Sequence, residues 1–261
     1  PAHASDPKLP LGDGHVTTSG PKSGYVYACR IVTGGGGAVD SVPWISGSTW
    51  SPAQKPHVQG SQMWPGALMS VKAAGSWRTL TTAGVPTNAP TGTFPISADD
   101  PAYTYDRNPN SIRELRVSIQ VPRYPQVATS PTCLSLGAVG VATNGVAIFD
   151  ALDGESRDAV AHEIQDSCDG HPQISGMYHY HGLSRCSNDP GTGHSTLIGY
   201  AADGFTAVGI DTVEEVAKAS KEILKKYPGA VFFGGQLVFG KESFATRLLH
   251  NYTVFAIQRR F

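Results

Sequence analysis

Apolar and polar residues alternate along residues 113–122, where Leu115, Val117, Ile119 and Val121 are separated by Arg116, Ser118 and Gln120, the period-two pattern of a half-buried strand. The same period runs through residues 136–149 and breaks at Thr143, Asn144 and Gly145, which predicts two strands around a tight turn. Residues 25–32 alternate well enough for another strand and stop at the glycine run 34–37. Beyond it Trp44, Trp50 and Trp64 are set among Pro43, Pro52, Pro56 and Pro65, so that stretch divides into short strands and turns with most of its aromatics in the core. Residues 194–205 read as a buried strand ended by the turn at Asp203 and Gly204. Helical periodicity is confined to two places. Residues 156–165 predict a short helix with Ala159, Val160 and Ile164 inward, and a capping box at 211–214 opens a helix running to about Lys226, with Pro228 and Gly229 as its stop. A strand over 230–239 and a further helix, or helix plus strand, over 243–261 follow. Residues 1–24 have no period and read as an extended arm. The expected fold is mainly β: a sandwich or meander of short antiparallel strands with few short helices over 25–210, carrying an α/β appendage over 211–261.

Composition narrows the function. In 261 residues the formal net charge is −1, which leaves no global field to hold a nucleic acid or an acidic membrane surface. Thirty glycines and nineteen prolines against 16% charged residues fit many short strands and turns rather than a helix bundle. The glycine run 34–37 lacks the Gly-Lys-Ser/Thr ending of a phosphate loop and reads as a turn. Four cysteines, Cys29, Cys133, Cys168 and Cys186, allow three pairings. The favoured one joins Cys168 to Cys186 across a histidine-rich segment and Cys29 to Cys133; four buried free thiols are the alternative. Paired cysteines suit an oxidising compartment, and no apolar run reaches membrane length, so the expected location is secreted or periplasmic with any leader already removed.

The densest chemistry lies between those two cysteines. In Tyr178-His179-Tyr180-His181 tyrosine and histidine alternate, so a strand puts both imidazoles on one face, roughly 7 Å apart along the backbone, and both phenols on the other. Two imidazoles on one strand face, joined by His171 from just upstream, make a chelate for a transition metal, copper or zinc rather than an oxygen-seeking calcium or magnesium. The plainer alternative is a pair of ordinary strand histidines satisfied by water or carbonyls. Asp166, at the end of the short helix, is the candidate carboxylate ligand; Glu163 and Asp203 are candidate catalytic groups, a base on a metal-bound water or an acceptor that fixes a ring tautomer. His162 and His57 are lesser candidates, and Tyr178 and Tyr180 are expected to pack. A metal-dependent hydrolase or a copper protein is the leading reading. A non-catalytic cell-surface binding or structural module with a disulfide-framed strand is the reading from another class, its ligand an unknown small molecule or surface group. A cysteine nucleophile at Cys168 or Cys186, and a hydrolase built on Ser195, are weaker.

Taken together, residues 144–148, 166–172, 176–181 and 197–205 closely resemble the YHYH domain family, and the segments 91–96 and 106–110 extend the likeness to about residues 25–209. The resemblance implies a β-rich fold and a metal centre in an exported or surface protein. The tail, residues 211–261, resembles instead the cytosolic C-terminal segment of bacterial amino-acid permeases, which implies an appendage foreign to the domain and makes His250 no ligand.

Overall fold

A computed structural model describes residues 8–208, except 23, 36, 37, 127, 183 and 187–196. The elements expected over 211–261, together with His3, His194, Ser195 and His250, lie outside the described residues.

The first third of the chain contributes five two-residue strands: β1 (Leu9–Pro10), β2 (Val16–Thr17), β3 (Val26–Tyr27), β4 (Ile45–Ser46) and β5 (Thr49–Trp50). A meander follows, β6 (Met69–Ala74), β7 (Trp77–Thr82) and β8 (Val117–Pro122), antiparallel and in continuous register. The remaining strands are β9 (Ala138–Ala142), β10 (Ala147–Phe149), β11 (Gly170–Pro172), β12 (Tyr178–Tyr180), β13 (Leu197–Ala201) and β14 (Thr206–Val208), with one helical turn, α1 (Ala159–His162), between β10 and β11. These six strands form one sheet in the order β11-β12-β10-β9-β13-β14. The fold is therefore mainly β, as the alternation predicts. In the six-stranded sheet one pairing is parallel: β12 runs in the direction of β10, because the chain crosses over through α1 before it returns to the sheet.

Local chemistry explains the placement. Asn144 accepts from the Val146 amide and Gly145 adopts φ +93°, so the β9–β10 turn forms where the sequence predicts it. Leu80 and Val121 of the meander pack with Val141 of the large sheet, and a second cluster joins Val146, Ile148, Tyr178, Tyr180 and Ile198. The Cys29–Cys133 and Cys168–Cys186 disulfides are both formed. From Leu9 onward the first residues are tied to the rest of the chain: Leu9 is buried and pairs with Trp50, and the Gly12 amide donates to Asp158. The helix expected over 156–165 is reduced to one turn. Asp158 caps it through the Ala161 amide, and the chain leaves it extended at Glu163 (φ −78°, ψ 143°), where Ile164 donates to Asp106 and Asp166 bridges to Val58.

Asp158 gives the fold a pH signature. Burial pushes its carboxyl up to about 7, against the opposing pull of the Gly12 and Ala161 amides. A carboxyl with a raised folded pKa keeps its proton where the unfolded chain has released it, so stability falls as pH rises from about 4 to about 7. Asp158→Asn removes that charge. Its unfolding free energy relative to the native protein is expected to improve by about 2–4 kcal/mol between pH 4 and pH 7.5, measured by urea titration at each pH. Parallel pH profiles for the two proteins would contradict this.

Candidate metal centre

β11 and β12 pair with His171 opposite His179, and period two carries His181 to the same face. All three imidazoles are buried, and together they form a group able to hold one ion. The tyrosines take the other face. Tyr178 donates to Asp166 and Tyr180 receives the Asn144 amide at 3.0 Å, both rings fully buried as packing.

The hydrogen bonds fix how two of the rings present themselves. His179 Nδ1 lies 3.1 Å from the Met177 carbonyl and His181 Nδ1 lies 2.6 Å from the Asp150 carbonyl. A carbonyl only accepts, so each Nδ1 carries the proton and donates, which leaves both Nε2 atoms as lone pairs in the neutral rings. Those two Nε2 atoms stand 3.0 Å apart. Two lone pairs at that distance repel unless a proton or a metal ion lies between them.

Glu163 completes the group. Its Oε2 is 3.2 Å from His171 Nε2 and 3.1 Å from His181 Nε2, yet within the described residues Glu163 Oε2 and both nitrogens of His171 are buried without an aligned hydrogen-bond partner. An ion with ligands at 2.0–2.1 Å in tetrahedral array sets them about 3.3 Å apart. Three of the separations here, 3.0–3.2 Å, come close to that spacing, and the ligand atoms of the three imidazoles all lie within 4.8 Å of one another. Phe149 stacks on His179 with ring centroids 3.8 Å apart and shields it from water.

Charge follows the geometry. Burial alone raises the Glu163 carboxyl, but the two adjoining imidazoles outweigh it and hold it well below the usual range. Burial lowers the pKa of His179 well below the ordinary imidazole value, and the neighbouring His171 and His181 imidazoles push it in the same direction. Burial also opposes a charge on His181, but Glu163 outweighs it and raises that ring's pKa. The site is a set of three imidazoles around one carboxylate, and the three histidines could hold a metal ion.

The other candidates fall elsewhere. Asp166 is on the tyrosine face, where its carboxylate receives the amides of Gly92, Cys168 and Gly170 as well as Tyr178, so it anchors the strand from behind and does not join the imidazoles. Asp203 accepts from the Phe205 amide in the β13–β14 turn, and two strands, β10 and β9, separate β13 from β12. His162 pairs with Asp13 at 2.8 Å, and His57 lies between the Asp166 carbonyl and Arg185. Both cysteines beside the site are in a disulfide, which removes the cysteine nucleophile. The carbonyls of Met177 and Asp150 were invisible to sequence reasoning, since every residue has one. Glu163 was visible as a carboxylate, but its place beside the imidazoles depends on the helix ending one residue before it.

A family described as YHYH protein matches residues 118–230 of the chain. Comparison with curated proteins and with solved structures finds no match. The match supports the YHYH resemblance and runs twenty residues past Ile210, into the segment the sequence set apart as a foreign tail. The likeness of residues 211–261 to amino-acid permeases finds no support.

Proposed function

We propose that this chain is an exported metal-binding protein of the YHYH type, in which His171, His179, His181 and Glu163 hold one zinc or copper ion. The observation that carries the reading is the 3.0 Å approach of two Nε2 lone pairs whose protons are committed to carbonyls on the far side of each ring. Three nitrogen donors and one oxygen suit the borderline metals; calcium and magnesium take six or more oxygens. Bound there, zinc would supply a Lewis acid and copper a redox centre. The chain's own residues orient the rings and exclude water: the His171 and His181 side chains are 6% and 4% exposed, and Glu163 is the more open at 16%. Glu163 serves in this reading as a ligand rather than as a base. Two disulfides support the oxidising location, and among the described residues no helix is long and apolar enough to cross a membrane.

The test is elemental analysis of the full chain, prepared with its disulfides intact and dialysed after exposure to zinc or to copper. One tightly held ion per chain is expected. Protein that retains neither metal would overturn the reading.

A further inference from the structure

Two of the four donors, Glu163 and His171, come from outside the Tyr-His-Tyr-His strand, and something must hold them at the spacing the ion needs. The segment 106–110 is placed to do this. Asp106 Oδ2 accepts from the Ile164 amide at 3.4 Å, one residue after Glu163. Asn108 Nδ2 donates to the Pro172 carbonyl at 3.0 Å, one residue after His171. The two grips are a single unit: Asp106 Oδ1 accepts from the Asn108 amide at 2.9 Å, and Asn108 Oδ1 accepts from the Asn110 amide at 3.0 Å, successive Asx turns that fix both side chains. The Ile96 amide donates to the Asn108 carbonyl and ties the unit to the core. Asp106 and Asn108 are both buried, so these bonds form out of competition with water.

We infer that Asp106 and Asn108 are the positioning pair of the metal centre, a clamp that sets the distance between Glu163 and His171. The inference rests on the proposed metal site and adds to it a reason for the segment 106–110, which carries no donor of its own. Both residues act on backbone next to a proposed ligand, so losing one displaces a donor and leaves the donor set intact. Outer partners of metal ligands are typically worth 10- to 100-fold in affinity.

The experiment measures zinc affinity of the full chain by competition with a chelator, in the native protein, Asn108→Ala, His171→Ala and the double variant. Asn108→Ala is expected to weaken binding about 10- to 100-fold, and to cost nothing further once His171 is gone, because its effect passes through that ring. An equal loss in both backgrounds, or native affinity in Asn108→Ala, would overturn the clamp. Should Asn108→Ala fail to fold, Asn108→Ser, whose hydroxyl can still accept from the Asn110 amide but which lacks the Nδ2 donor, takes its place in the same cycle. Cobalt spectra give a second readout: the four-donor tetrahedral signature is expected to weaken in the Asn108 variant and to be native in a His15→Ala control. Absence of zinc binding by the native protein is a separate outcome, and it overturns the metal site itself.

Discussion

Replacing His179 and His181 together by alanine is expected to abolish stoichiometric metal binding, with affinity for zinc or copper weakened at least about a thousandfold. In the proposed site the two rings supply half of the four donors, and their facing Nε2 atoms stand 3.0 Å apart. A closed transition-metal site draws its free energy from every donor at once, so losing two leaves an imidazole and a carboxylate that water can match. The fold should survive. Truncating both rings opens space beside Phe149, but it also removes two lone pairs held against each other, and the tyrosines that pack β12 into the core are untouched. Circular dichroism should therefore be native while chelator competition shows the loss, and His15→Ala, outside the cluster, should bind as the native chain does. A doubly substituted protein that still carried one ion per chain would place the metal elsewhere and end the reading.

How far the sequence led can be judged from β12 and its neighbours. Period two in Tyr178-His179-Tyr180-His181 was enough to put the imidazoles on one face and the phenols on the other, because side-chain direction in a strand is set by the backbone alone. The disulfide across that segment was legible from its bracketing cysteines, and the β9–β10 turn from Asn144-Gly145. What remained hidden depends on long-range pairing. Asp166 is four residues after His162, so a continuing helix would set both on one face; instead the helix stops at His162, the chain turns extended, and the carboxylate passes behind the strand. Asp203 follows β13 in sequence, but the sheet order sends that hairpin to the opposite edge from β11. Parallel pairing of β12 with β10 is what brings the Asp150 carbonyl to His181. None of these pairings leaves a local signal.

Asp166→Ala is expected to destabilise the folded chain by about 5 kcal/mol or more. The carboxylate is fully buried and takes four donors: the amides of Gly92 at 2.7 Å, Cys168 at 2.9 Å and Gly170 at 3.2 Å, and the Tyr178 hydroxyl at 2.8 and 2.9 Å to its two oxygens. Burial pushes its pKa up, yet these donors pull the other way and replace the water the carboxylate gave up. Alanine leaves all four donors buried and unpaired, at about 1–3 kcal/mol each, and the site cannot collapse over them. Its walls have no slack: a Cβ at Gly170 would come within 2.3 Å of the Tyr178 ring, and one at Gly92 within 2.8 Å of Asp166 itself. Asp166→Asn retains one acceptor and Tyr178→Phe removes one donor, so both should fall between the native protein and alanine in urea unfolding midpoint. Because Asp166 holds the Cys168–Gly170 turn against Tyr178, it also fixes β11 beside β12, and with it the register that sets His171 opposite His179. A folded Asp166→Asn should accordingly bind zinc more weakly than the native chain although no donor has changed. A native midpoint in Asp166→Ala would show that the carboxylate is not the anchor of this strand pair.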